Sequence, residues 1–341
     1  MPVRLFLIVL GVVLFAHRAP APLIYRPGEG WIYEPVGKAG KWQRERAKDQ
    51  LDVALEAFNK PNYSVAKRAA KRVSAVWPQS DYAPQALYIL GRCYEAERYD
   101  EKAFSTYRTL LQKYPKVSNY EEVLQRQYQI ANRFLAGQWF RLWGVVPFFP
   151  SMEKTVQMYK EVIARGPHSP VAPIAQLCVG AAHEKRDDLP LAAVAYATAA
   201  DRYFDQKGIA AESLYRAGLA YQKQAQKAEY DQSIASQAIS TFTDFISLYP
   251  NDLRVSQATK IIGELKFEQA RGALDVAQYY EKKKRRDGAL VYYNEVIIKA
   301  PNSDYAELAR ERIAVLKARG ASTPPLAPAP EPALKGASGA K

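Results

Sequence analysis

A Pro-punctuated pattern of small and large residues constrains this chain most, because it recurs with a period of about 34 residues. It is clearest from Pro84 to Pro115, where Gly91 and Ala103 hold positions 8 and 20 and Tyr107 holds position 24. Small residues allow two helices to approach closely, large residues fill the seam between them, and Pro ends the second helix. The pattern therefore predicts a series of two-helix hairpins.

The pattern returns in the same register over most of the chain. It marks six repeats and a last helix, at about residues 47–80, 84–117, 127–169, 173–206, 211–252, 270–303 and 303–318. Repeats three and five carry insertions of about twelve and eight residues. Strand signals such as alternating β-branched runs are missing between about residues 41 and 318. This 34-residue unit is typical of the tetratricopeptide repeat. We predict an all-α tetratricopeptide-repeat superhelix (α-solenoid) of about six helical hairpins with a C-terminal capping helix.

The two ends of the chain predict export and little independent structure. One Arg precedes an apolar run that ends at Phe15, and small residues and Pro follow. This layout is typical of a Sec signal peptide and is too short to span a bilayer. We expect a signal peptide over residues 1–16, or to about 21, and a periplasmic location. No Cys follows the run, so we expect no lipid anchor there. Residues 22–40 predict an extended leader, and the Pro/Ala-rich residues 319–341 predict a disordered tail.

Scarcity of Cys and His argues against metal or cofactor chemistry. The chain has two Cys and three His, which are Cys93, Cys178, His17, His168 and His183. We expect no metal site, no disulfide and no cofactor. The sequence lacks the phosphate-loop, zinc-protease and hydrolase motifs, so we expect no enzyme. His183 falls on a seam position and predicts a packed ring rather than a ligand. Both Cys residues predict buried free thiols.

The first helix of each hairpin is expected to line a concave groove. In repeats one and two this groove would present eight candidate binding residues: Lys48, Leu51, Leu55, Phe58, Gln85, Tyr88, Arg92 and Glu95. In repeats five and six it would present Glu212, Tyr215, Gln222, Lys223, Arg271, Gln278, Glu281 and Lys282. Tyr provides contact area at low entropic cost, and Arg can donate two hydrogen bonds to one carboxylate. Both properties suit an extended peptide or its terminal carboxylate. The alternative is an ordinary solvated face.

Two further segments are candidate contacts for a partner or a membrane. Residues 134–150 form an aromatic insertion whose candidates are Trp139, Trp143, Phe148 and Phe149. This insertion either folds back over an exposed hairpin or meets a partner or membrane interface. The second segment is the basic run Lys282, Lys283, Lys284, Arg285 and Arg286. It is either a solvated turn or a contact for an acidic partner or lipid head groups. The net charge of +13 fits such a contact, and the export signal argues against nucleic acid.

Several of these motifs resemble a known family. Tyr-x-x-Ala-x-x-x-Tyr units end in a Pro-x-Ser-x-Tyr-Ala turn at residues 77–83 and 300–306. The stretch from Val276 to Pro301, with Ala289 at its small position, resembles the C-terminal repeat of the BamD (YfiO) family, the tetratricopeptide lipoprotein of the outer-membrane β-barrel assembly machine. The resemblance implies a non-enzymatic scaffold at the periplasmic face of the outer membrane. Its C-terminal repeats would bind the periplasmic domains of the barrel-forming subunit, and its N-terminal repeats would receive unfolded outer-membrane proteins. A general periplasmic scaffold for envelope biogenesis or cell division is the alternative.

Overall fold

The structure, a computed structural model, describes residues 23–26, 30–33, 37–142, 146–227 and 232–321. It divides into two compact lobes, an N-terminal lobe of Met1–Ala195 and a C-terminal lobe of Tyr196–Lys341. The predicted signal peptide and residues 322–341 of the predicted tail lie outside the described residues.

Helices dominate the described residues, and the predicted all-α tetratricopeptide fold is confirmed. The thirteen described helices are α1 Ala47–Asn59, α2 Tyr63–Val76, α3 Tyr82–Ala96, α4 Asp100–Lys113, α5 Tyr120–Leu135, α6 Met152–Arg165, α7 Ala172–Lys185, α8 Leu189–Arg202, α9 Lys207–Lys227, α10 Gln232–Leu248, α11 Val255–Lys282, α12 Arg286–Lys299 and α13 Asp304–Ala321. Within each lobe, most consecutive helices pack against each other as hairpins. In the described ranges, no helix is both long and apolar enough to cross a bilayer.

Local sequence signals set several helix ends. The side chains of Asn62 and Ser151 accept hydrogen bonds from backbone N–H groups in the first turns of α2 and α6. The Ser303 hydroxyl accepts from the N–H of Ala306 at 3.2 Å at the start of the last helix. These bonds satisfy N–H groups that a helix start otherwise leaves without partners.

The seam of each hairpin depends on small residues, as the pattern predicts. An ideal Cβ at Gly91 would lie 2.3 Å from Cε1 of Tyr107, and one at Gly218 would lie 2.7 Å from Cε1 of Phe242. Both rings are completely buried. Position 8 is therefore glycine in these two repeats because the ring at position 24 occupies the space of a side chain.

Helix α11 serves two hairpins in the C-terminal lobe. Its first half buries Ile261 and Leu265 with α9 and α10, and its second half buries Leu274 and Ala277 with α12 and α13. The predicted repeat six begins at residue 270, whereas α11 begins at Val255. Apolar residues at helical spacing continue upstream of residue 270, so the two hairpins share one 28-residue helix.

Strands interrupt the helical array in the aromatic insertion, where the expectation of no strand is wrong. The strand Phe140–Leu142 pairs antiparallel with the strand Val146–Phe149. Phe140 is buried and stacks on Phe134 of α5 with ring centroids 4.1 Å apart. Aromatic and β-branched residues around Gly144 and Pro147 favour a hairpin over a helix.

The leader also contains a strand pair. Residues Leu23–Arg26 and Gly30–Tyr33 form two short antiparallel strands. The sequence predicts an extended leader, and the pairing of its two halves is an addition to that prediction.

Candidate functional site

The eight groove candidates of repeats one and two lie on α1 and α3, but not all of them are accessible. Lys48 and Gln85 are exposed, and Leu55, Phe58, Tyr88 and Arg92 are half-buried. Leu51 is only 3% exposed and packs in the hydrophobic core, so it is not available to a ligand. Glu95 is turned into the protein, where it fixes other side chains, and its assignment to the binding surface is replaced by a positioning role.

The guanidinium of Arg92 lies close to two aromatic rings, those of Phe58 and Tyr88. Its guanidinium carbon is 5.5 Å from the ring centroid of Phe58 on α1 and 5.8 Å from that of Tyr88 on α3. Its Nη1 donates to the Tyr88 hydroxyl at 3.2 Å. Among the described residues Arg92 has no ion pair with a carboxylate. A guanidinium has five N–H donors, so most of those of Arg92 remain available to a ligand.

Two residues of α5 complete this site, and the sequence analysis missed both. The Tyr88 hydroxyl donates to Glu122 and accepts from Nε of Arg126 at 3.1 Å. Arg126 also pairs with Glu122 through Nη2 at 3.1 Å. The hydrogen bond from Tyr88 holds the pKa of Glu122 below its usual value. The spacing of Glu122 and Arg126 is a helical i, i+4 ion-pair signal, which could have drawn attention to this face of α5.

The carboxylate of Glu95 lies beneath this network and contacts side chains of α4 and α5. Its Oε1 accepts from the Tyr107 hydroxyl at 2.5 Å. Arg126 Nη1 and Arg133 Nη2 lie 3.7 Å and 3.8 Å from its carboxylate oxygens. Burial, and then the charge of Glu95, raises the pKa of Tyr107. Glu95 therefore anchors α5 against α3 and orients Arg126 toward Tyr88.

The result is a surface of aromatic and cationic groups, called here the Arg92 groove and defined by Leu55, Phe58, Tyr88, Arg92, Glu122 and Arg126. Phe58 and Tyr88 offer apolar contact, while the guanidinium of Arg92 offers hydrogen-bond donors. Lys48 and Gln85 are further exposed polar groups on α1 and α3. Such a surface can hold an apolar side chain and a carboxylate side by side.

A second arrangement of the same kind lies in the C-terminal lobe. An open cleft of about 510 Å³ is lined by Gln278, Glu281, Lys282, Tyr293, Leu308 and Arg312. The Tyr293 hydroxyl donates to Glu281 at 2.6 Å, and Nε of Arg312 donates to the same carboxylate at 3.2 Å. Burial, and then hydrogen bonding to Glu281, raises the pKa of Tyr293 to about 12. The Tyr–Glu–Arg arrangement thus repeats that of Tyr107.

The other candidates are scattered. Arg271 forms an ion pair with Glu268 at 2.8 Å and does not line this cleft. Trp139 is 53% exposed. Nζ of Lys154 lies 5.1 Å from the ring of Phe149. Trp143 lies outside the described residues, and so does the side chain of Phe148. The basic run occupies the exposed turn between α11 and α12.

The side chains of His183 and Cys93 are packed inside the protein. His183 is 7% exposed and its Nδ1 lies 4.0 Å from Asp188, while burial lowers its pKa. Cys93 is buried, and burial raises the pKa of its thiol to about 11. Cys178 is half-buried rather than buried, and neither Cys forms a disulfide. Within the described part of the chain, no three His, Cys, Asp or Glu residues are placed to hold a metal ion.

Comparison with known families agrees with this architecture. Residues 85–116, which cover most of α3 and all of α4, match the tetratricopeptide repeat model. The chain is therefore a tetratricopeptide-repeat protein. Residues 150–309 match the YfiO family model, described as an outer membrane lipoprotein. The chain is thus a YfiO-like tetratricopeptide protein, and the predicted resemblance is confirmed over this segment, which includes the C-terminal lobe up to α13 but not the Arg92 groove.

Solved structures give weaker likenesses. The C-terminal part of a tetratricopeptide-repeat protein from Cytophaga hutchinsonii is 12% identical, with 77% of this chain and 87% of that chain covered and a TM-score of 0.35. A tetratricopeptide repeat protein from Parabacteroides merdae is 13% identical over 80% and 98%, with a TM-score of 0.32. MamA from Desulfovibrio magneticus is 14% identical over 61% and 97%, also with a TM-score of 0.32. At these TM-scores we draw no inference from the likenesses. A comparison with curated proteins found no match.

Proposed function

We propose that this protein is a non-enzymatic periplasmic scaffold that takes part in the assembly and insertion of outer-membrane β-barrel proteins. The observation that carries the proposal is the match of residues 150–309 to the YfiO family model. In this proposal the C-terminal repeats bind the barrel-forming subunit of the assembly machine, and the protein is held peripherally at the periplasmic face of the outer membrane.

The Arg92 groove is the proposed site for unfolded client chains. An apolar or aromatic client side chain packs against Phe58 and Tyr88, and the terminal carboxylate of the client binds the guanidinium of Arg92. Glu122 and Arg126 hold the Tyr88 ring in place through its hydroxyl. Aromatic and Arg side chains are the residues that most often dominate binding energy at protein interfaces.

A general periplasmic scaffold for envelope biogenesis or cell division is the second candidate. The observation that favours it is the position of the groove. Residues 85–116 match the general tetratricopeptide repeat model, and the groove lies outside the YfiO-like segment of residues 150–309. In this case the same groove binds peptides of other partners.

Fluorescence anisotropy with labelled peptides tests the groove. A peptide with the C-terminal sequence of a β-barrel protein should bind the wild-type chain, and Arg92→Gln should weaken it about 10–100-fold, the cost of a lost charged hydrogen bond. Amidation of the peptide should weaken binding to the wild type but not to Arg92→Gln, because both changes remove the same contact. Arg202→Gln, which alters an exposed cation of α8, is the matched control. Equal affinities of free and amidated peptides for the wild type would refute the carboxylate contact.

Recovery of partners from solubilised envelope separates the two candidate functions. A tagged chain should retain the barrel-forming assembly subunit if the first proposal is correct. Retention of peptidoglycan or division proteins alone would contradict it and support the second. A variant with an altered C-terminal cleft, Arg312→Gln, should lose the assembly subunit while its peptide affinity stays unchanged.

A further inference from the structure

The turn between α11 and α12 carries five consecutive cations, defined here as the basic turn: Lys282, Lys283, Lys284, Arg285 and Arg286. All five are exposed, and among the described residues none of them forms an ion pair. The turn resembles those of repeats two and four, since each places one residue in the left-handed region, with φ of 56° at Lys284, 60° at Arg98 and 64° at Asp187. The backbone geometry of this turn therefore does not require such a concentration of charge.

Neighbouring acids leave the basic turn positive. The carboxylate of Glu281, just before the turn, already accepts from Tyr293 and Arg312. Asp287 is the first acid after the turn. The corresponding turn of repeat two differs, because its Glu97 forms an ion pair with Lys67. Charge is thus balanced locally in one turn and left unbalanced in the other.

An exposed aromatic ring lies beside these cations. Tyr279 is 58% exposed, and Nζ of Lys283 lies 5.7 Å from its ring centroid. Lys282 extends the positive surface into the open cleft next to Arg312. Tyr beside Lys or Arg is the combination enriched at membrane–water interfaces, where the ring enters the headgroup region and the cations meet phosphates.

We propose that the basic turn docks this protein on a bilayer surface that contains anionic lipids, with Tyr279 entering the headgroup region. Three of its cations are lysines, which act as compact point charges and need no fixed acceptor geometry. A plane of lipid phosphates can pair with these lysines whichever way the protein is rotated about the membrane normal. A folded acidic partner would instead be recognised through bidentate hydrogen bonds from Arg guanidinium groups that neighbouring side chains hold in place. This docking does not depend on the Arg92 groove, so either can be wrong without the other.

Vesicle sedimentation of the full chain tests the proposal. Vesicles of phosphatidylcholine with phosphatidylglycerol should bind the wild type, whereas vesicles of phosphatidylcholine alone should not. Each cation near an anionic surface contributes about a fivefold factor to partitioning. Lys283→Gln/Arg285→Gln/Arg286→Gln should therefore reduce partitioning by about 100-fold. Raising the salt to about 1 M, where the Debye length is about 3 Å, should have a similar effect on the wild type.

A matched variant separates the turn from the net charge. Lys207→Gln/Lys266→Gln/Lys317→Gln removes three exposed cations of the same lobe and should retain most of the vesicle binding. Equal losses in the two triple variants would overturn the proposal, as would failure of the wild type to sediment with anionic vesicles. Turn-dependent capture of polyglutamate without vesicle binding would overturn it in favour of an acidic protein partner. The peptide affinity of the turn variant should equal that of the wild type.

Discussion

Replacing Gly91 by Ala should destabilise the N-terminal lobe, although Ala is the better helix former. An ideal Cβ at this residue lies 2.3 Å from Cε1 and 2.7 Å from Cζ of Tyr107, so the ring would have to move by about 1 Å to reach ordinary contact. The ring is completely buried, and its hydroxyl donates to Glu95 at 2.5 Å. Moving it repacks the seam and disturbs that hydrogen bond.

The free energy of unfolding should fall by about 2 kcal/mol, the balance of three effects. Overpacking a core costs about 1–3 kcal/mol, and weakening a hydrogen bond to a carboxylate adds about 1.5 kcal/mol. The higher helix propensity of Ala offsets about 1 kcal/mol. With a urea dependence of about 1–3 kcal/mol per molar, the unfolding midpoint should fall by about 1 M.

Tryptophan fluorescence can follow the N-terminal lobe by itself. All five Trp residues of the chain lie between residues 31 and 143, so their emission reports urea unfolding of this lobe. Far-UV circular dichroism reports both lobes. Gly91→Ala should lower the urea midpoint of the fluorescence transition. In the C-terminal lobe, the Cβ of Gly218→Ala would lie 2.7 Å from Cε1 of Phe242. This change should lower the midpoint followed by circular dichroism and leave the fluorescence midpoint unchanged.

Gly263→Ala is the matched control for this prediction. This residue lies within α11, and no atom apart from its chain neighbours and the nearby backbone of its own helix is within 4 Å of its ideal Cβ. The change should stabilise the C-terminal lobe by about 1 kcal/mol through helix propensity alone. If Gly91→Ala is also stabilising, the close approach of α3 and α4 inferred from the structure is incorrect.

Two further predictions concern the C-terminal lobe, and urea unfolding followed by circular dichroism measures both. Tyr293→Phe removes the donor to Glu281 and should cost about 1–2 kcal/mol. Tyr249→Phe is the control, because the Tyr249 hydroxyl makes no hydrogen bond to the described residues. It should change stability by less than about 0.5 kcal/mol, and equal effects of the two changes would contradict the Tyr–Glu contact. Hydrogen bonds from Arg254 lower the pKa of Asp252 to about 2, below its unfolded value of about 3.9. Asp252 therefore stabilises the fold above the unfolded pKa, and this contribution is lost as the pH falls from about 5 to about 2. Asp252→Asn should make the free energy of unfolding depend less on pH in this acidic range. An unchanged pH dependence would refute the stabilising role of Asp252.

The candidate groove shows which features a repeat pattern can predict. Register within a repeat placed Phe58, Tyr88 and Arg92 on first helices, and the structure brings these three side chains together. It misplaced Leu51 and Glu95, because a helical residue near the edge of the apolar face can turn inward when a neighbouring helix covers it. Leu51 is covered in the core, and Glu95 is drawn in by Tyr107.

Helical periodicity and the position of Pro were sufficient to predict the repeated hairpins and their small seam residues, because these depend on contacts within one repeat. Partners from different repeats could not be predicted in this way. Glu122 reaches Tyr88 across 34 residues of sequence, and α11 is shared between two hairpins. The spacing of apolar residues specifies which face of a helix is buried. The packing of neighbouring helices decides which side chains contact that face. The strand pair at Phe140 follows the same rule, since it forms where Phe134 of a preceding helix offers a ring to stack on.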